Sequence, residues 1–138
     1  MTPVAKSRRP QAERAAEWVA VEVFGCTETQ RATRTKWQKI DFFGCDIMGM
    51  RPGFKEWIQV TAGQRQAVQA RRKKLVDKDW VYTDRVWVFQ LVEAEYKGRG
   101  KRWQFNVWKL EIMEDIRKWE DWPPIPIKPE WFKARRET

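Results

Sequence analysis

Apolar residues recur along this chain with two different spacings. From about Gln11 to Phe24, Ala12, Ala15, Ala16, Val19 and Val23 fall at three- and four-residue steps, which predicts a helix stopped by Gly25. From Gly63 to about Val76, Val68 and Leu75 mark a second helical stripe with Ala67 beside it. Between them the pattern is strand-like. Lys39 to Met50 is a short apolar run with a bend at Gly44, Met50-Arg51-Pro52-Gly53 is a turn, and Glu56 to Thr61 alternates Trp57, Gln59 and Thr61 with Ile58 and Val60. Residues 26–38 lack periodicity and predict a loop or ragged edge strand. After the break at Asp77-Lys78-Asp79, Trp80 to Tyr82 predicts a short strand and Arg85 to Val92 a longer one. Trp103 to Ile112 is its hairpin partner across a glycine-rich basic turn, Tyr96 to Arg102. Met113 to Trp119 predicts a short helical piece, and Trp122 to Pro129 an extended, polyproline-like tail.

These elements predict an α/β fold: a single domain with a central mixed β-sheet flanked by helices. Residues 1–112 form the α/β domain, with 1–10 a flexible basic arm, and 113–138 a Trp/Pro-rich extension packed on the same domain. A length of 138 residues fits one core. No internal repeat is visible.

Charge and composition narrow the function. Lysine and arginine number 28 against 19 acids, a net charge of +9, which favours polyanionic partners. Histidine is absent, so a Ser-His-Asp triad, an HNH-type nuclease site and a His-ligated zinc centre are all excluded. Cys26 and Cys45 lack metal-binding spacing; with no signal peptide at the start, free thiols in a reducing cytoplasm are expected. No apolar run approaches the ~20 residues that span a bilayer, so no membrane association is expected. Seven of the ten tryptophans fall from Trp80 onward, and they serve either as core ballast or as stacking platforms for bases.

The candidate chemistry lies where polar groups interrupt apolar runs. A buried carboxylate is unfavourable unless it is paired or bound to a metal. Asp41 and Asp46 stand in one such run; in an unbroken strand they would face opposite sides, and a bulge at Gly44 would bring them together. Gln59 and Thr61 share one face of the next strand, either an exposed edge or the floor of a cleft. Arg71 lies within the apolar stripe of the second helix and Lys74 on its border, where long cations either snorkel or reach a phosphate. Glu13 and Glu17, one turn apart on the first helix, are most simply read as solvated, and Glu28 is the only acid of its segment; whether any of the three joins the site is left open by the sequence.

The order of helix, acidic strand, polar-faced strand and basic helix resembles the PD-(D/E)XK, restriction-endonuclease-like superfamily. Cys45-Asp46-Ile47-Met48 stands where that family has P-D-I-I, and Ile58-Gln59-Val60-Thr61 where it has I-E-x-K. A closer resemblance is to uncharacterised phage and bacterial members with D-L-F-G-x-x-D-L, V-Q-V-T and A-R-x-R-K-I. Asp41 to Ile47, one residue shorter between the acids, Ile58 to Thr61, and Ala70 to Leu75 follow in that order. The resemblance implies a restriction-endonuclease-like core and Mg²⁺-assisted (Mn²⁺ possible) hydrolysis of DNA phosphodiesters, with Asp41, Asp46 and Gln59 on the metal. Gln59 brings no charge and Thr61 cannot replace the family lysine, so Asp46, Gln59 and Lys74 are the expected catalytic set. Arg71, Arg72, Lys73, Arg99, Lys101 and Arg102 are the expected nucleic-acid contacts, in a cytoplasmic protein of a bacterium or phage-infected cell, with a homodimer possible. The alternatives are a nuclease-like domain that only binds nucleic acid, and a small phage-type protein that binds a host protein through its Trp/Pro-rich tail.

Overall fold

The structure, a computed structural model, describes residues 8–32, 45–95, 98–113 and 116–133. In chain order these form helix α1 (Arg9–Glu22), strands β1 (Glu28–Arg31), β2 (Ile47–Arg51) and β3 (Phe54–Thr61), helix α2 (Arg65–Val76), and strands β4 (Asp84–Glu95), β5 (Lys101–Met113) and β6 (Ile116–Pro126). A 3-10 turn at Pro129–Phe132 follows. The six strands make one mixed sheet in sequence order, with α1 and α2 on opposite faces. Neighbours are antiparallel except β3 and β4, which run parallel from Lys55↔Asp84 to Thr61↔Gln90. A parallel pair needs a crossover, and α2 supplies it.

Strand alternation sorts the core into two layers. On the α1 side Ile58 and Val60 of β3 meet Trp87, Phe89, Phe105 and Val107 under the alanine face of the helix. On the α2 side Trp57, Val86, Val88 and Leu110 meet Val68 and Leu75. The small residues of α1 let it lie close: a Cβ on Gly49 would come within 2.6 Å of Cys26 Sγ and 3.5 Å of Ala20 Cβ. Gly25, at φ 75°, ends α1's excursion, after the Val23 and Phe24 amides have both returned to the Val19 carbonyl.

Within the segment expected as a loop or ragged edge strand, Glu28–Arg31 form the edge strand β1, and 33–44, with Asp41 and the Gly44 bend, lie outside the described residues. Other elements differ from the sequence reading. Trp80 to Tyr82 is not a strand; Trp80 Nε1 donates to the Leu75 carbonyl at 2.8 Å, which ties this segment to the end of α2. Of the helical piece expected at Met113 to Trp119, Met113 ends β5 and Ile116 to Trp119 begin β6, while 114 and 115 lie outside the described residues. Leu110 pairs with Trp119 and Ile112 with Arg117, so alternate residues turn to the α2 face. The prolines of the tail sit in this same edge strand, at Pro123, Pro124 and Pro126, where one side of the backbone needs no partner. Ile116 to Pro126 of the extension are therefore part of the sheet. No helix among the described residues is long and apolar enough to cross a membrane.

Candidate active site

Asp46 directly precedes β2, at the point where β2 stops covering β3. Its carboxylate fills the gap in the ladder: Oδ2 accepts the Val60 amide at 2.8 Å and Gln59 Nε2 at 3.0 Å. Both side chains are buried, 2% exposed for Asp46 and 4% for Gln59. The acid of one strand and the polar triplet of the next thus come together as expected from the order of motifs. Gln59 Oε1, on the same amide, is buried and has no hydrogen-bond partner among the described residues.

The other oxygen of Asp46 faces α1. Arg9 Nη2 donates to Oδ1 at 2.8 Å, and Arg9 Nε lies 3.4 Å from Glu13 Oε1 one turn later. Arg31 of β1 donates to Glu13 Oε2 at 3.2 Å. A cation in the first turn opposes the helix dipole, and these carboxylates offset it. Glu13 is thereby joined to Asp46 through a shared guanidinium. Glu17 is half-buried a turn further on, and Glu28 sits at the far end of β1, paired with Met50, so neither is placed beside Asp46.

Thr61 is 3% exposed, and its Oγ1 accepts the Gly63 amide at 2.9 Å, which shapes the turn into α2. Gln59 and Thr61 therefore form buried floor, not an exposed edge. On α2, Arg71 is half-buried between Val68 and Leu75, on the side turned to the sheet, whereas Lys74 is exposed. Arg72 is half-buried with its guanidinium 5.6 Å from the Trp119 ring, and Lys73 is exposed. At the β4–β5 turn Arg99 and Lys101 are exposed and Arg102 is half-buried; Lys101 Nζ lies 4.0 Å from Glu93.

Sequence reasoning missed a row of amides across the sheet on the α2 side. Gln104 Nε2 donates to Asn106 Oδ1 at 3.1 Å, Asn106 Nδ2 to Gln90 Oε1 at 3.4 Å, and Gln90 Nε2 to the Gly63 carbonyl at 3.1 Å. Gln90 is level with Thr61 in the parallel register, so this row starts beside the Asp46–Gln59 strand pair and runs toward Arg102. Its signal was present: Gln104 and Asn106 alternate with aromatic and apolar residues in Trp103 to Trp108.

The Asp46 carboxylate, whose oxygens accept N–H donors from Arg9, Gln59 and Val60, and the Gln59 carbonyl are the oxygen donors present here. Asp46 offers a carboxylate and Gln59 a buried carbonyl oxygen, the oxygen donors that Mg²⁺ and Mn²⁺ prefer. Among the described residues no group of three or more Cys, Asp or Glu side chains is arranged to hold a metal ion, and Asp41 lies outside them. Comparison with known proteins returned no match: no family model fits the chain, and no curated protein or solved structure matches it.

Proposed function

We propose that this domain binds DNA and hydrolyses its phosphodiester backbone with a hard divalent ion, Mg²⁺ or Mn²⁺, at the Asp46–Gln59 pair. The observation that carries the reading is Gln59 Oε1: a carbonyl sealed in the core, on an amide bonded to a buried carboxylate, in the strand pair where the nuclease resemblance puts its acid and its triplet. An unsatisfied buried acceptor costs roughly 1–3 kcal/mol, and a cation held with Asp46 is the ligand that would relieve it. Such an ion, when bound, supplies Lewis-acid charge at the phosphate and a more acidic water.

The chain's own residues divide the remaining work. Asp46 and Gln59 hold the ion, with Asp41 proposed as the second acid. Arg71, Arg72 and Lys73 of α2, and Arg99, Lys101 and Arg102 of the hairpin, hold the phosphates. Thr61 has its hydroxyl engaged by Gly63 and sits where the family lysine would stand, so Lys74 takes the developing charge. A reducing cytoplasm is the compartment this reading implies, and Cys26 and Cys45, both buried, are not joined in a disulfide.

The test is cleavage of duplex, single-stranded and branched DNA with Mg²⁺ or Mn²⁺. Wild type should cut and Asp46→Asn should lose about 100-fold or more, the loss of roughly 3 kcal/mol expected for a key charged group. Undiminished cutting by that variant would remove the site. A second reading, a DNA-binding domain without hydrolysis, is favoured by one specific contact: Arg9 already places a cation on Asp46. It predicts salt-sensitive DNA binding, unchanged in Asp46→Asn, with no cleavage under any metal.

A further inference from the structure

The described residues contain a second feature suited to nucleic acid, away from Asp46. Gln69, Arg72, Lys73 and Val76 fall at i, i+3, i+4 and i+7 on α2, so they form one stripe along the helix. That stripe overhangs the edge strand β6, and with Trp119 it lines a cavity of about 300 Å³. Trp119 is there because β6 is a strand: its pairing with Leu110 turns the indole to the α2 face.

We propose that this α2–β6 groove is a single-strand subsite, in which a nucleobase stacks against Trp119 while the adjoining phosphates lie on Arg72 and Lys73. The inference rests on the reading that the domain binds nucleic acid, and is independent of whether it cuts. The groove lining carries two cations, an indole and an amide, and no acid. Helix α2 as a whole bears five cations and no acid. The neighbouring cavity at the end of α2 sets Asp77, Asp79 and Asp84 against one cation, Lys78, beside Trp57 and Trp80, and its net negative lining disfavours phosphate. Arg72 already packs over the Trp119 ring, so a planar group enters a site with one cationic wall in place. At 1.5 Å rise per residue, Arg72 lies about 10 Å along α2 from Arg65, the helix start that follows Thr61. A strand crossing the proposed scissile site therefore reaches the groove within a few nucleotides. Duplex DNA keeps its bases stacked inside and offers the indole nothing.

The experiment measures binding in EDTA, so that hydrolysis plays no part. Labelled probes are a short thymidine oligonucleotide, an abasic oligomer of the same length, and a duplex. Trp119→Ala should weaken the thymidine oligomer about 10-fold and leave the abasic one unchanged, since a stacked base is worth roughly 1–3 kcal/mol. Arg72→Ala with Lys73→Ala should weaken both. Because Trp119 also packs on the core, wild-type protein is examined in parallel by photocrosslinking to a 5-iodouracil oligomer, with the adduct mapped by mass spectrometry. An adduct on Trp119 supports the groove. Adducts confined to the β4–β5 hairpin, or equal losses for the thymidine and abasic oligomers, overturn it. Binding of the duplex alone would sink the groove but not the DNA reading, whereas binding of no probe would sink both.

Discussion

Glu56 shows how a carboxylate survives in this core. It is 0% exposed, on the α1 side of β3, with Oε1 3.1 Å from both Arg51 Nε and Arg85 Nε and Oε2 accepting Trp87 Nε1 at 2.6 Å. Two guanidiniums and an indole N–H offset its desolvation. Glu56→Gln keeps the shape and removes the charge, leaving the two arginines without their shared partner. A loss of about 3 kcal/mol is expected, read as a lower urea midpoint; an unchanged midpoint would mean the cluster contributes little. Cys26, close by, behaves oppositely. Burial, then the Glu56 carboxylate, pushes its thiol from the ordinary 9.0 up to about 11. Below pH 9 the thiol is neutral in both folded and unfolded chains. Above it the unfolded chain releases its proton first, so this contribution to stability falls between pH 9 and 11. Wild type should therefore lose more stability over that window than Cys26→Ala, measured by urea denaturation at each pH.

Among the elements, β6 does more than its composition indicated. Arg117 Nη1 donates to the Val76 carbonyl at 2.7 Å and also to that of Lys78, so an edge strand caps the C-terminal end of α2. A cation at that end also suits the helix dipole. Arg117→Ala should cost about 2 kcal/mol and raise amide exchange in the last turn of α2 ahead of its first. The helices and the strands of the β4–β5 hairpin were legible because their apolar spacing is regular: Ala12, Ala15, Ala16 and Val19, or Val86, Val88 and their cross-strand partners. β6 was not legible, because charged residues and prolines fill Ile116 to Pro126 and strand propensity is weak there; pairing with β5 decides its conformation. The meeting of Asp46 with Gln59 followed from motif order. Arg9 on Asp46 did not, since thirty-seven residues separate them and only the docking of α1 brings them together. The amide row was legible only in part: Gln104 and Asn106 alternate with apolar residues, but no short motif joins them to Gln90.

At the scale of the molecule, two of the described elements carry dense runs of cations. α2 and the β4–β5 hairpin tip carry Arg65, Arg71, Arg72, Lys73, Lys74, Arg99, Lys101 and Arg102, while Asp77, Asp79 and Asp84 gather at the C-terminal end of α2. On the proposed function, DNA affinity should fall about 10-fold or more between low and moderate salt, as released counterions dictate. The slope should flatten when Arg72 and Lys73 are both replaced. A slope unmoved by that change would place the DNA elsewhere on the surface.

The lone parallel pairing among the described strands bears on how the chain acquires its shape. Strands β4, β5 and β6 are successive neighbours, as are β1, β2 and β3, so each trio assembles from nearby chain. The join between the trios must wait until the whole of α2 has been spanned, and closing so long a loop is entropically disfavoured. The C-terminal meander should consequently be ordered at the folding barrier while the join is still open. Val107→Ala, within the meander, should slow refolding, whereas Val60→Ala, at the join, should chiefly speed unfolding.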